Sequence, residues 1–365
     1  MPRFDLFKGL RLIVVFFIST TGNAQDRYFD APKAENDGWE IADVRSMDLD
    51  TTRLYHFFSQ AKAGPNKLHS ALLVKEGTLV IEEYFNGQQA SEPHDMRSVS
   101  KSIRSLLLGI AIDKGYIDSI DDPISDYLGP LQARKNLDPR KKEITIRHLI
   151  TMSTGWDCND WDQSSKGQED RVYKKSNWLQ YTLDLPMIND PGTVSNYCSM
   201  GVILMSEIIS QASGMSIDTF AQKYLFNPLG INNVQWGHTN DKPVIDSGKR
   251  LYMTSRDLAK IGLLVLQNGQ WDGQQIVSRE WIEASTSSKT KITNMNYGFL
   301  WWQIPFKHGD ALYSSVVATG NGGQYIMIIP KLELVAVFTG NAYNSQEDKL
   351  PFAIVKDVFI PTFME

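Results

Sequence analysis

The chain is poor in several features that would announce a function. Cysteine occurs only twice in 365 residues, at Cys158 and Cys198. The six histidines, His56, His69, His94, His148, His238 and His308, show no metal-type spacing. Each reads as structural, with His308 the one best placed to reach a cleft, so no metal and no cofactor is expected. Asp157, Asp160 and Asp162 fail as a calcium loop, because Cys158 and Trp161 interrupt the pattern such a loop needs. No Gly-x-Ser-x-Gly elbow is present, which disfavours an α/β-hydrolase. Charge of one sign is also lacking. The formal net charge is −5, and the run Arg140-Lys141-Lys142 is flanked by Asp138 and Glu143. That run reads as a solvated loop, and no nucleic-acid partner is expected.

Long apolar runs are missing too. The stretch from Leu12 to Ile18 is far too short to cross a bilayer as a helix. It follows Arg3, Lys8 and Arg11 and precedes the small residues Gly22 and Ala24, the layout of a secretory signal peptide cleaved after Ala24. A buried core strand is the alternative. The expectation is a signal peptide over 1–24, no transmembrane anchor, and a secreted or periplasmic protein. In an exported protein two cysteines more often pair than stay free. A Cys158–Cys198 bond would close a loop of about 40 residues, which chain entropy values at roughly 4 kcal/mol. Two unpaired buried thiols are the alternative.

What remains is ordinary globular material, 42% hydrophobic and 22% charged, with enough chain to bury a sizeable core. Residues 69–87 read as a hairpin, with strands over 71–74 and 78–85 around the turn Lys75-Glu76-Gly77. Ile103, Leu106, Leu107, Ile110 and Ala111 recur at helical spacing after Ser98, and Gly115 stands where such a helix would end. Further helices are predicted over 144–151, 202–212 and 254–267, the last with Ser255 as its N-cap. Two β-rich runs, 324–329 and 334–339, form another hairpin, and a helix over about 350–359 closes the chain. Strands at both ends with helices between them predict an α+β fold. An antiparallel sheet would draw on about 25–97 and 245–365, with a helical region of about 98–244 inserted. No repeats or linkers divide it, so 25–365 reads as a single domain.

Ser98-Val99-Ser100-Lys101 is an S-x-x-K motif at the start of the periodic helix. Residues three apart share one helix face, about 5–6 Å between Cβ atoms, so the amine can reach the hydroxyl. The helix N-terminus adds a positive partial charge that favours developing negative charge. A second copy, Ser59-Gln60-Ala61-Lys62, shows how weak the motif is alone. Ser59 precedes Gly64-Pro65 with no periodic helix behind it, whereas Ser98 follows a hairpin and opens one. Ser98 as a plain helix cap stays open at this point. A turn-rich loop, Pro191 to Ser199, places Tyr197 and Ser199 two apart, so that both can face one cleft, with Tyr197 as a proton shuttle. Thr319, Gly320 and Asn321, in the stretch 318–323, could complete an oxyanion hole through backbone N–H groups. Trp156, Trp161, Trp301 and Trp302 could line a pocket, or simply pack.

The order of these elements resembles the serine β-lactamase and penicillin-binding-protein superfamily, in the branch of class C β-lactamases, family VIII-type esterases and 6-aminohexanoate-dimer hydrolases. The stretches Asp95 to Ser102, Leu149 to Trp156, Pro191 to Ser199, Tyr297 to Trp302 and Gly320 to Tyr325 carry the likeness. So do Phe226 to Gly230 and Thr254 to Leu258. The resemblance spans about 70–340. It implies a β-lactamase/transpeptidase-like fold and an acyl-enzyme on Ser98. Lys101 and Tyr197 would move protons, with the oxyanion held by the N–H groups of Ser98 and Asn321. Two departures stand out. Ser199 replaces the usual asparagine of the second motif, as in dimer hydrolases. Ala318 replaces the cation that opens the third and commonly helps hold a carboxylate. Without that cation, esters or simple amides are the favoured small-molecule substrates, although Arg250 or Lys289 could substitute in space. A β-lactamase or DD-peptidase is the rival enzyme, and a non-catalytic sensor or scaffold the rival of another class. Oligomeric state is left open.

Overall fold

A computed structural model describes residues 29–237 and 245–364. The expected signal peptide over 1–24, and His238, lie outside the described residues.

The centre is an eight-stranded antiparallel sheet. Its strands are β1 (Leu68–Lys75), β2 (Thr78–Tyr84), β3 (Thr290–Ile292), β4 (Met295–Tyr297), β5 (Trp302–Gln303), β6 (Val316–Gly320), β7 (Gln324–Ile329) and β8 (Leu334–Gly340). They lie in the order β2-β1-β8-β7-β6-β5-β4-β3. The first and last strands in sequence are thus neighbours, β1 pairing with β8 from Val74 opposite Val335 to Ser70 opposite Thr339. Every residue of β7 and β8 is buried. A strand buried throughout needs cover on both faces, because successive side chains alternate sides. On one face a helix over Ser255–Leu266 packs so closely that a Cβ at Gly262 would stand 2.4 Å from Val335. On the other, Phe338 stacks on Phe359 of the closing helical segment, with ring centroids 5.8 Å apart.

The predicted helices are present with shifted ends, whereas the helix over Thr52–Ala63 and strands β3 to β6 were not foreseen. We label the helices that matter α1 (Thr52–Ala63), α2 (Val99–Asp113), α3 (Ser199–Ser213) and α4 (Ser255–Leu266). Helix α2 is buried along nearly its whole length, from Val99 to Ala111, and packs under β6 and β7. Helix α3 begins three residues earlier than its apolar spacing suggested, because polar Ser199 is its first residue. The cap of α4 is Thr254, whose side chain accepts the Asp257 N–H, rather than Ser255. Residues 318–320 belong to strand β6.

Candidate active site

Ser98 sits at the N-terminus of α2, one residue after Arg97, which holds a left-handed backbone at φ 47°. Such a conformation is uncommon outside glycine and marks a sharp entry into the helix. The N–H groups of Val99, Ser100 and Lys101 bond the carbonyls of Met96, Arg97 and Ser98. Lys101, one turn along, places Nζ 2.7 Å from Ser98 Oγ. Its side chain is largely buried, and Nζ lies 5.0 Å from the centre of the Tyr197 ring. The second S-x-x-K copy is disposed differently. Ser59 lies on α1 near its C-terminal end, and its hydroxyl bonds the His56 carbonyl. Lys62 is bound to Glu83 at 2.7 Å, so it offers Ser59 nothing.

Strand β6 ends against the turn that carries Ser98. A Cβ on Gly320 would lie 2.7 Å from the Met96 carbonyl and 3.2 Å from Arg97 Cβ, so only glycine lets the two backbones come this close. Asn321, next in line, is anchored by side-chain bonds with Asn344 in both directions, its Oδ1 accepting the Asn344 N–H. Tyr197 is buried among near-parallel rings. Trp161 stacks on it at 4.9 Å and Trp302 at 5.9 Å. Trp161 is 52% exposed, whereas Trp156 and Trp301 are core residues. Of the four tryptophans, two therefore flank Tyr197 and two simply pack.

A cleft of about 330 Å³ opens beside Ser98 and Lys101, with Ser199 and Asn321 in its lining. Arg104, Glu169, Lys249 and Arg250 also line it. Ser98, Lys101, Ser199 and Asn321 are thus brought together, with Tyr197 stacked at the edge of the group. Thr319 and Gly320 form the adjoining strand end and are not among the lining residues, and neither are Lys289 and His308.

Ser199 was expected in the cleft, but the groups around it, Asp160, Glu169 and Arg104, escaped the sequence reading as site residues. Ser199 is buried, its N–H and hydroxyl both donating to Asp160 Oδ2, at 2.8 and 2.6 Å. Asp160 is raised to about 7, first by burial and then by the neighbouring Glu169, with Lys101 acting in the opposite sense. Glu169 Oε2 stands 3.2 Å from the same Ser199 hydroxyl. Arg104, three residues beyond Lys101, is lowered to about 10 by burial. Asp160, Glu169 and Arg104 carry no motif of their own; only their adjacency in space marks them.

Cys158 and Cys198 form a disulfide, with Cα atoms 5.5 Å apart. The bond ties the segment after Trp156 directly to the residue between Tyr197 and Ser199. Opening it should lower the melting temperature, since closing a loop of this length is valued at about 4 kcal/mol. It should also slow any reaction that depends on Tyr197. Alkylation of the unfolded protein without reductant checks the bond: intact mass should show no alkyl group added, and two added groups would rule it out.

A serine at a helix start, with a lysine one turn on and the end of an antiparallel strand beside it, sits here in a β-lactamase/transpeptidase-like fold, the fold of a family of serine hydrolases. The chain belongs to the Beta-lactamase family, whose pattern matches residues 69–357. It is 23% identical over 290 residues to 6-aminohexanoate-dimer hydrolase of Paenarthrobacter ureafaciens, covering 73% of this chain and 71% of that protein. Among solved structures, it resembles a Bacillus anthracis protein assigned as a 6-aminohexanoate-dimer hydrolase, with TM-score 0.68, 20% identity and coverage of 92% and 91%. A class C β-lactamase aligns with TM-score 0.60, 16% identity and coverage of 81% and 91%. Among the described residues no single helix is long and apolar enough to cross a membrane.

Proposed function

We propose that this protein is an exported hydrolase that cleaves a carboxylic ester or a simple linear amide through an acyl-enzyme on Ser98. The observation that carries the reading is the 2.7 Å contact between Lys101 Nζ and Ser98 Oγ at the mouth of the cleft. Lys101 Nζ takes the Ser98 proton along that line while Oγ attacks the substrate carbonyl. The carbonyl oxygen gains the charge, and the backbone N–H groups of Ser98 and Asn321 receive it, helped by the start of α2. The leaving alcohol or amine departs with a proton delivered by way of Tyr197. Water then attacks the acyl-serine with the same groups acting in reverse, which frees the acid and restores Ser98. The disulfide and the expected signal peptide support an oxidising compartment.

A second reading, in which the substrate bears a carboxylate as β-lactams and peptide termini do, is favoured by one observation. Position 318 is a fully buried alanine, but Arg104, Lys249 and Arg250 line the cleft. Arg250 Nη1 lies 3.1 Å from Asp95, so part of its charge is already matched. For that reason neutral substrates remain the leading class. The mature protein should hydrolyse p-nitrophenyl butyrate with a kcat/KM at least about tenfold above that for nitrocefin or a short acidic amide, the gain a single charge-assisted bond would otherwise supply. A reversed ranking, with KM for the acidic substrate rising in Arg250→Gln, would transfer the assignment to the carboxylate-bearing class.

A further inference from the structure

The segment from Cys158 to Trp161 holds each of the three residues from Tyr197 to Ser199. Cys158 is bonded to Cys198. The Asp160 N–H donates to the Tyr197 carbonyl at 2.8 Å. Asp160 Oδ2 accepts the Ser199 N–H and hydroxyl. The Trp161 ring lies on the Tyr197 ring, 3° from parallel.

A clamp alone would not need a charge. The Ser199 donors would be satisfied equally by a neutral amide oxygen, and a carboxylate taken out of water is costly unless something opposes it. Yet Asp160 is 9% exposed, and its second oxygen, Oδ1, is buried with no hydrogen-bond partner among the described residues. The ionisable groups that face it are few. Glu169 shares the Ser199 hydroxyl, and Tyr173 donates to Glu169 at 3.0 Å. The cation is Lys101, on α2. Lys101, Glu169, Tyr173 and Ser199 all line the cleft beside Ser98.

We propose that Asp160 is a positioning residue of the Ser98–Lys101–Tyr197 group: its main chain and carboxylate fix the Tyr197 loop, and its charge faces Lys101. The inference rests on Ser98 being the nucleophile. An ionised Asp160 opposes any loss of positive charge in this group, so removing its charge moves the acid limb of Ser98 reactivity to lower pH.

The test compares the pH dependence of fluorophosphonate labelling in wild type, Asp160→Asn and Asp160→Ala. The Asn variant keeps an acceptor for both Ser199 donors, so its fold and loop are retained. The acid limb of its labelling rate should move down by about one pH unit, the lower end of the effect of one neighbouring charge. The Ala variant also loses the loop's anchor and should label on the order of 10²-fold more slowly, as misplaced groups do. Melting curves give a readout that does not depend on catalysis. Folding raises the proton affinity of Asp160, so the stability tied to its neutral form is present below its unfolded value of about 4. That stability is lost as pH rises to about 7. Asp160→Asn should therefore melt higher than wild type near pH 8, and the gap should close toward pH 4. Wild-type protein that takes no label would overturn the Ser98 reading and this inference with it. Labelled proteins whose acid limbs coincide would overturn the inference alone.

Discussion

Ser98→Ala should abolish both turnover and covalent labelling, a loss on the order of 10⁶-fold as expected for removal of a nucleophile. The substitution deletes one hydroxyl at the head of α2. That hydroxyl makes no side-chain cap bond to the helix, so its removal leaves the helix start unchanged. Lys101 remains where it is, deprived of its partner. Ser59→Ala is the matched control. It removes a hydroxyl that bonds only the His56 carbonyl on an exposed part of α1, beside a lysine committed to Glu83. Circular dichroism should be unchanged in both variants, and only Ser98→Ala should be silent toward fluorophosphonate and esters. An inactive, folded Ser59→Ala protein, or an active Ser98→Ala protein, would move the nucleophile elsewhere.

Tyr197→Phe should cost about 10²–10⁴ in kcat, the range for a positioned proton-transfer group. The stability of the protein should hardly change. Phenylalanine keeps the ring that Trp161 and Trp302 flank, and the backbone contacts of residue 197 do not involve its side chain. The comparison therefore isolates the hydroxyl. Turnover near that of wild type in the folded variant would take Tyr197 out of the mechanism and leave Lys101 to move both protons. A large loss accompanied by a lowered melting temperature would instead point to packing.

Much of the architecture was legible because it depends on local chemistry. The apolar spacing after Ser98 could only be a buried helix, and α2 is buried from Val99 to Ala111. The apolar run Ala71 to Val74 and the turn Lys75-Glu76-Gly77 marked the hairpin that β1 and β2 form. Errors fell at element ends, and α1 and strands β3 to β6 were missed outright. Helix α3 starts earlier than its apolar residues because Ser199 is stabilised by a carboxylate 39 positions away, a contact with no local signature. The same reason hid Asp160. Within Asp157 to Asp162 it looked like part of a failed calcium loop, and nothing nearby in sequence reveals that it meets Ser199.

The sequence by itself determined the periodic helix with Ser98 and Lys101 on one face, the strands at both ends, and the family motifs in order. These follow from spacing along a regular backbone, where three residues along a helix always return to the same side. Only the tertiary structure showed that the lysine of the second S-x-x-K copy, Lys62, is paired with Glu83 of a strand, whereas Lys101 meets Ser98. It also decided which tryptophans flank Tyr197, joined Cys158 to Cys198, brought Arg104, Arg250 and Glu169 to the cleft wall, and set Asp160 behind Ser199. The Cys158–Cys198, Ser199–Asp160 and Arg104–Lys249 contacts join residues tens to more than a hundred positions apart, and their geometry is fixed by how the sheet and helices close on each other, which local pattern does not encode.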